Sequence, residues 1–188
     1  MIKKIVQKNE GVLRKDTKEI PIHEIKTGKI QKILKEMSSA LLSQSDGVAI
    51  AAPQIGYSLR IFVVSGKIFD KDFLIGKVPT PERVGIPTSD KNQNVGKRYK
   101  DVVFINPIIS KLSREKVWVP EGCLSVRWLY GRTLRSKKAT ITAYDGNGKK
   151  FTRGASGLLA QIFQHETDHL KGILFIDHAK DIKEEKPR

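Results

Sequence analysis

The sequence predicts an α+β fold built from antiparallel strands and two helices. One amphipathic helix comes first, several strand-like segments follow, and a second helix with a metal-binding pattern lies near the C-terminus. Strands grouped between two helices, and not alternating with them, favour antiparallel pairing. A chain of 188 residues can bury a core without disulfides, so we expect one domain over residues 1–188.

The first helix is predicted from Gly28 to Ser43. Its apolar residues recur at helical spacing: Ile30, Ile33, Leu34, Met37, Leu41 and Leu42. A buried strand is expected at 60–64, where β-branched and aromatic residues dominate. Prolines, glycines and a basic patch distinguish residues 66–101, and we expect an irregular insertion there, within the domain.

Two further strands are predicted at 101–109 and 115–119. A hairpin is predicted at 139–152, because the segment DGNG supplies glycines that can take positive φ in a turn. The second helix is predicted to begin after Ser156, a suitable N-cap, and to stop at Gly172. Residues 180–188 form a charged tail that we expect to fray.

Charge and cysteine content restrict the possible functions. The net charge of +15 fits either a well-solvated surface or work near a polyanion such as RNA. The sequence contains no zinc-finger or RNP pattern and no run of stacking aromatics, so we expect no specific DNA partner. Because Cys123 is the only cysteine, no internal disulfide can form, which fits a reducing compartment.

The N-terminal residues lack the apolar region of a signal peptide, and their acidic residues argue against a transit peptide. No apolar run is long enough to cross a bilayer. We therefore expect a cytoplasmic protein with no membrane partner.

The segment QHETDH, at 164–169, indicates a metal site. Positions i and i+4 of a helix share one side, so His165 and His169 can bind one ion, on the same stripe as Leu158 and Ile162. Glu166 lies beside them, where it can take a proton from a water bound to the metal. Such a site needs a third protein ligand.

The identity of that ligand distinguishes classes of metalloenzyme. Metzincins add a third histidine, but the matching position here is Phe175, which cannot bind a metal. Thermolysin-type zincins use a glutamate from a further helix, and the sequence after Phe175 is too short for one. We therefore expect an upstream ligand, and the thiol of Cys123 is the strongest candidate because a divalent ion binds the thiolate directly. The alternative is a small buried cysteine; His23 and His178 are poorer candidates with expected surface roles.

Three segments occur in order: GVAIAAPQ at 47–54, EGCLS at 121–125 and QHETDH at 164–169. Together they resemble the motifs of the peptide deformylase family. The family's motif G-Φ-G-Φ-A-A-x-Q, where Φ is apolar, is similar to residues 47–54 (GVAIAAPQ). Its motifs EGCLS and QHExDH are met without change at 121–125 and 164–169. The resemblance extends from the N-terminal helix through Phe175. It implies an α+β fold in which antiparallel β-sheets surround a central helix that carries the HExxH motif, with an additional N-terminal helix.

The resemblance also implies roles for the matched residues. Glu166 would move protons between the water and the leaving amine. The side-chain amide of Gln54 and the backbone N–H of Leu124 would stabilise the oxyanion together with the ion. By family analogy the ion would be Fe2+, while the ligands would also accept Zn2+, Ni2+ or Co2+. Three residues would bind this one divalent ion, with water in the fourth position: Cys123, His165 and His169.

The reaction implied is hydrolysis of the N-formyl group from the initiating methionine of newly synthesised polypeptides, so the implied partners are N-formylmethionyl nascent peptides. Glu121 and Asp168 would orient the ligands, although Asp168 also fits an ordinary surface carboxylate. Taken singly, Leu158 and Ile162 fit a plain core role equally well. The residues expected to line the substrate site are Val48, Ala49, Gly122, Leu158 and Ile162.

Three features depart from the commonest family pattern, and one of them is the excursion at 66–101, which is longer than in the shortest members, together with a C-terminal tail too short for the long terminal helix of some members. Ala49 replaces the second glycine of the first motif, which means either strain at a positive φ or one added methyl near the substrate. The pair Arg127-Trp128 predicts a bulky, cationic rim.

Two other functions remain as alternatives. One is a metalloendopeptidase, and the other is a basic RNA- or ribosome-binding protein whose metal site is structural. The positive charge would also allow an active enzyme to associate with the ribosome.

Overall fold

The computed structural model describes residues 2–69 and 100–186, and within them the protein has two antiparallel sheets and two α-helices. The α+β class predicted from the sequence is confirmed. Of the predicted insertion at 66–101, Gly66–Phe69 forms a 3-10 turn, and residues 70–99 lie outside the described ranges.

Helix α1 spans Gly28–Leu42, close to the predicted bounds. The structure corrects one residue of the predicted apolar stripe, because Leu42 is 80% exposed. Successive helical residues are about 100° apart around the axis, so Leu41 continues the buried side and Leu42 turns away from it. The other predicted core residues of the helix are buried: Ile30, Ile33, Leu34, Met37 and Leu41.

The larger sheet has five strands in the order β1-β2-β3-β6-β7, and every neighbouring pair is antiparallel. The predicted hairpin is its β6–β7 unit, where Gly148 takes a φ of +76° in the turn. Its strands are β1 (Ala49–Ala51), β2 (Ile61–Val64), β3 (Val102–Leu112), β6 (Lys138–Tyr144) and β7 (Lys150–Ser156).

The smaller sheet has three strands in the order β4-β5-β8, also antiparallel. They are β4 (Lys116–Gly122), β5 (Leu129–Ser136) and β8 (Lys180–Glu184). The prediction of a fraying tail at 180–188 is wrong for β8. Its side chains are exposed, but its backbone pairs with β5, with Arg132 opposite Lys180. A strand at the edge of a sheet needs only backbone partners, and these leave no hydrophobic pattern in the sequence.

The second helix, α2, spans Gly157–His169 and has Ser156 as its N-cap residue, as predicted, although the serine side chain makes no capping hydrogen bond. The chain turns away at Gly172, whose φ is +71°. No helix in the described ranges combines the length and apolar character that crossing a membrane requires.

The two helices pack on the larger sheet through different residues of β2. Ile61 and Val63 belong to the core cluster that contains the buried side of α1. Phe62 and Val64 belong to the cluster that contains α2. Because side chains alternate along a strand, β2 is covered on both faces, and all four of its residues are buried.

Gln164 joins α2 to the smaller sheet. Its side-chain oxygen accepts a hydrogen bond from the Ser136 backbone N–H at 2.9 Å, and its amide nitrogen donates to the Ser136 carbonyl at 3.0 Å. The amide therefore pairs with β5 as another strand would, at the residue before His165. This contact fixes how the helix presents its histidines.

Candidate metal centre

The side chains of Cys123, His165 and His169 converge, and their ligand atoms all lie within 4.8 Å of one another. The sulfur of Cys123 is 3.2 Å from Nε2 of His169. One helical turn separates the two histidines on α2, while Cys123 directly follows the last residue of β4. The structure thus brings together the three residues that the sequence suggested as ligands.

Glu121 orients the first imidazole. One of its carboxylate oxygens lies 3.1 Å from Nδ1 of His165, which leaves Nε2 as the ring atom available to an ion. Arg135 donates to both oxygens of Glu121, at 2.7 and 3.1 Å, and also to Asp168 at 2.6 Å. Burial acts to raise the pKa of Glu121, but its hydrogen bonds from His165 and Arg135 outweigh burial and hold the pKa far below its usual range.

Arg135 is the functional residue that a search for metal ligands alone misses. The arginine sits on β5, and the residues that alternate with it, Arg132 and Leu134, are exposed. A buried arginine needs carboxylate partners. The signal in the sequence is a charged residue inside a strand-compatible segment, beyond the Arg127-Trp128 pair that was expected to form the rim.

Glu166 is buried beside the histidines, with 4% of its surface exposed. Burial raises the pKa of this carboxyl to about 7, against the lowering effect of His165. Its Oε2 atom has no hydrogen-bond partner among the described residues. A buried carboxylate oxygen without a protein partner is suited to accept a proton from a water in the site.

The donor set fits a divalent transition metal. One thiolate and two imidazoles match the ligands of catalytic tetrahedral sites, which keep one position open. Burial also lowers the pKa of His169, which favours the neutral imidazole that a metal requires. For His165, burial acts in the same direction, but hydrogen bonds to Cys123 and Glu121 raise the pKa above its ordinary value.

Gln54 approaches the centre from the 3-10 turn that follows β1. Its side-chain oxygen accepts a hydrogen bond from the Ala51 backbone N–H at 2.8 Å. Its nitrogen lies 3.2 Å from the Ser125 hydroxyl and 3.5 Å from the Cys123 sulfur. The amide group is thus held with its donor end toward the metal ligands. Leu124, the other predicted oxyanion donor, lies between Cys123 and Ser125.

The predicted substrate-lining residues lie on elements that meet at the centre. Ala49 is an extended residue of β1, paired with Val64, and its φ is not positive. Of the two expectations for Ala49, strain is therefore excluded and an added methyl remains. The side chains of Val48, Leu158 and Ile162 pack in the core cluster around α2, with Val48 and Leu158 only partly buried.

Gly122 ends β4, and a Cβ atom on it would meet the Tyr130 ring at 2.7 Å. The Cδ1–Cε1 edge of the Tyr130 ring therefore packs against the backbone next to Cys123. The predicted cationic rim is present but largely neutralised. Arg127 contacts both carboxylate oxygens of Asp46, at 2.5 and 3.0 Å, and stacks on Trp128 at 4.8 Å from the ring centre.

His23 and His178 are exposed and lie outside the cluster of ligand atoms, in line with the surface roles expected for them.

Comparisons with known proteins agree over nearly the whole chain. The family model for polypeptide deformylase matches residues 2–185. Peptide deformylase 1A, chloroplastic, of Solanum lycopersicum is 34% identical over 174 residues, which cover 92% of this chain and 58% of the relative. The chain thus spans about three fifths of the length of the curated relatives it matches.

Solved structures are similar as well. The Met-Ala-Ser-bound class I type b peptide deformylase of Acinetobacter baumannii has a TM-score of 0.74 and 26% identity, covering 95% of this chain and 98% of that one. A peptide deformylase of Legionella pneumophila has a TM-score of 0.73 and 30% identity, covering 96% and 88%.

Proposed function

Because this chain belongs to the polypeptide deformylase family, we propose that it is a metal-dependent peptide deformylase. The reaction is hydrolysis of the N-formyl group from the N-terminal formylmethionine of newly synthesised polypeptides, with release of formate. One observation carries the proposal: a thiol and two imidazoles converge within 4.8 Å beside a buried glutamate oxygen that has no hydrogen-bond partner among the described residues. We further propose that residues 1–188 form a single domain and that α2 is the central helix of the family fold.

Cys123, His165 and His169 are the proposed ligands of one divalent ion. When bound, such an ion acts as a Lewis acid on the formyl oxygen and lowers the pKa of the water that attacks. Fe2+ is proposed from the family, and the same ligands accept Zn2+, Ni2+ or Co2+. Glu121 and Asp168 share the Arg135 guanidinium, and through Glu121 they keep the His165 ring in its ligating orientation.

Glu166 is the proposed proton carrier. Its carboxylate takes a proton from the attacking water as the water oxygen bonds to the formyl carbon. It then returns that proton to the amine nitrogen as the carbon–nitrogen bond breaks, so that formate and a free amino terminus leave. A carboxyl group with a pKa near 7 suits both steps, since it accepts and donates at neutral pH.

Gln54 and Leu124 are the proposed donors to the oxyanion. The Gln54 amide is preorganised by its bonds to Ala51 and Ser125, so it need not reorient as negative charge develops. The Leu124 backbone N–H belongs to the residue next to Cys123, which would place a second donor on the side of the thiolate ligand.

The peptide is proposed to bind between two open strand edges. In the described sheets, β1 lies at the edge of the larger one and β4 at the edge of the smaller one, and Ala49 and Gly122 belong to these strands. An extended peptide pairs its backbone with such edges, which gives affinity with little sequence preference. The methionine side chain would enter the apolar region formed by Val48, Leu158 and Ile162. The Acinetobacter baumannii relative with Met-Ala-Ser bound supports a methionine-first peptide as ligand.

The proposed partners are therefore N-formylmethionyl nascent peptides. The proposed compartment is the cytoplasm, because its reducing conditions keep a single cysteine as a free thiol. Association with ribosomes through the basic surface is a further part of the proposal. Salt-sensitive cosedimentation with ribosomes tests it, because phosphate contacts weaken as salt rises.

The decisive experiment assays anaerobically purified protein, with metal analysis, on formyl-Met-Ala-Ser and on an internally cleavable casein peptide. Anaerobic handling matters because an iron-bound thiolate is exposed to oxidation. We expect formate release from the first substrate only. Cleavage of the casein peptide would indicate a metalloendopeptidase. Deformylation that persists in Glu166→Ala, with the metal retained, would contradict the proposed mechanism.

A further inference from the structure

The outer side of the smaller sheet is basic and carries an exposed tryptophan. Side chains alternate across a strand, so Arg132 and Leu134 of β5 lie on the face opposite the buried Arg135. Cross-strand pairing puts Trp118 opposite Leu134, and Arg132 opposite Lys180. We call this surface the Trp118 face; its residues are Lys116, Trp118, Arg132, Leu134 and Lys180, all of them exposed.

Two cations flank the indole. The Arg132 guanidinium carbon lies 6.0 Å from the Trp118 ring centre, and the Lys180 nitrogen lies 5.1 Å from it. These cations come from two different strands, β5 and β8, while the ring is on β4 and is 39% exposed. The indole is thus partly exposed, with both cations over its ring, and a base can stack on it as these cations move to phosphates.

One carboxylate approaches the Trp118 face. Asp181 lies 3.7 Å from Arg132, and both side chains are more than half exposed, at 65% and 56%. An ion pair as exposed as this one contributes little to the stability of the fold and is screened by salt. An incoming phosphate can therefore replace the carboxylate of Asp181 beside Arg132.

We propose that the Trp118 face binds single-stranded RNA without sequence preference, one base stacking on Trp118 while Arg132, Lys180 and Lys116 contact phosphates. Surfaces that bind single strands combine these two elements, and base–aromatic stacking tolerates any base. The net charge of +15 favours a polyanion over a neutral partner. An acidic peptide without aromatic residues could use the cations, but it would have no ring to stack on the indole.

The Trp118 face lies on the strand that leads to the metal centre. Trp118 precedes Cys123 by five residues along β4 and its end. At about 3.3 Å per residue, the two positions are about 17 Å apart along the strand. The proposed RNA contacts are exposed side chains on the face of the sheet and include none of the metal ligands, so the proposal does not depend on the proposed deformylase activity.

The test measures binding of the whole protein to a 5′-fluorescein-labelled oligouridine by anisotropy at several salt concentrations. Stacking contributes about 1–3 kcal/mol per base, so we expect Trp118→Ala and Trp118→Leu to weaken binding about tenfold or more. The double variant Arg132→Gln/Lys180→Gln should reduce the slope of log K against log salt by about 1.4, at about 0.7 per phosphate contact. The matched control Lys32→Gln/Lys35→Gln removes the same charge from exposed positions on α1 and should have a smaller effect.

A second readout follows Trp118 emission in a Trp128→Phe background, which leaves a single tryptophan. RNA should quench this emission, while heparin, a polyanion without bases, should bind and leave it unchanged. Turnover of formyl-Met-Ala-Ser should be the same in the Trp118-face variants as in the wild type. A failure of the RNA-binding proposal can therefore be distinguished from a failure of the proposed deformylase activity.

Three results would overturn the proposal: RNA affinity that is unchanged in both Trp118 variants, a loss as large in the α1 control, or tighter binding of oligodeoxythymidine than of oligouridine. Polyglutamate that binds as tightly as RNA and quenches the same emission would instead assign the face to acidic polypeptides.

Discussion

A carboxylate oxygen of Glu121 lies 3.1 Å from Nδ1 of His165, and both carboxylate oxygens are also held by Arg135. The contact joins the end of β4 to α2 directly at the candidate ligands. Its function would be to fix the ring so that Nε2 stays directed at the ion, since an imidazole without a partner for Nδ1 can rotate and change tautomer.

Glu121→Ala should therefore weaken metal binding about 10- to 100-fold, as is typical when the partner of a ligating histidine is removed. Arg135 would keep Asp168 as a partner, so the fold should survive. Competition of a chromogenic chelator for Zn2+ measures the change. The control is Glu115→Ala, which removes an exposed glutamate directly before β4. An equal loss of metal affinity in both variants would contradict the assignment.

Glu166→Gln should lower kcat for formyl-Met-Ala-Ser by about 10²–10⁴, because the amide cannot carry the proton between water and amine. Glu166 does not belong to the group of converging ligands, Cys123, His165 and His169, so the metal content of the variant should stay at the wild-type level. Steady-state kinetics with metal analysis on the same sample provides the measurement. Loss of metal in this variant would show that the glutamate acts on the ligands and not on the proton.

Gln54→Leu should lower kcat by about 10²–10³ with metal retained, the usual cost of one oxyanion donor. The leucine keeps the approximate size of the glutamine and removes its donor. The same change also removes the acceptor for the Ala51 N–H, so thermal unfolding must be measured beside kinetics. Near-normal turnover in a folded variant would remove Gln54 from the mechanism.

Residues close in sequence were the easiest to predict. The i, i+4 histidines, the apolar stripe of α1 and the β6–β7 hairpin all follow from helical or turn periodicity within a few residues. No local pattern relates Cys123 to the histidines, because they lie far apart in the chain. Cys123 followed first from excluding the other sources of a third ligand, and the family resemblance then supported it.

Long-range pairing of polar groups could not be predicted in this way. Arg135 bridges Glu121 and Asp168, and β8 pairs with β5 at the edge of the smaller sheet. Neither contact is associated with a periodic pattern of hydrophobic residues in the sequence. The backbone conformation of Ala49 could not be predicted for the same reason. Whether this position needs a positive φ depends on its pairing with Val64, a long-range contact that only the structure reveals.

Gly172 is a position where conformation and space both require glycine. Its φ is +71°, and an added Cβ would lie 2.7 Å from the backbone carbon of Arg14. Gly172→Ala should therefore destabilise the protein by more than the roughly 1 kcal/mol that a left-handed residue costs alone, since backbone cannot move aside as a side chain can. Gly28→Ala is the matched control, because nothing lies within 4 Å of its added Cβ and it begins α1. Urea unfolding should show no loss in the control, and equal losses would contradict the argument.

The ion pair of Asp46 and Arg127 should give a pH-dependent contribution to stability. It joins the segment that leads into β1, at the residue before Gly47, to the loop that follows Cys123. The hydrogen bond from Arg127 lowers the pKa of Asp46, against the opposing effect of burial. A carboxyl whose pKa is depressed in the folded state stabilises the fold above its unfolded pKa, near 3.8, and loses that contribution as pH falls through the folded value.

Asp46→Asn should therefore lower the free energy of unfolding at pH 7 by less than about 1 kcal/mol, because the Asp46 side chain is half exposed and solvent screens the pair. The gap to the wild type should narrow as pH falls below 3.8, where the wild-type carboxyl also becomes neutral. Urea unfolding between pH 7 and the lowest pH at which both proteins stay folded measures it. Asp181→Asn, which removes a carboxylate from a weaker and more exposed pair, is the control. A gap that stays constant with pH would mean that Asp46 acts through packing or hydrogen bonding and not through its charge.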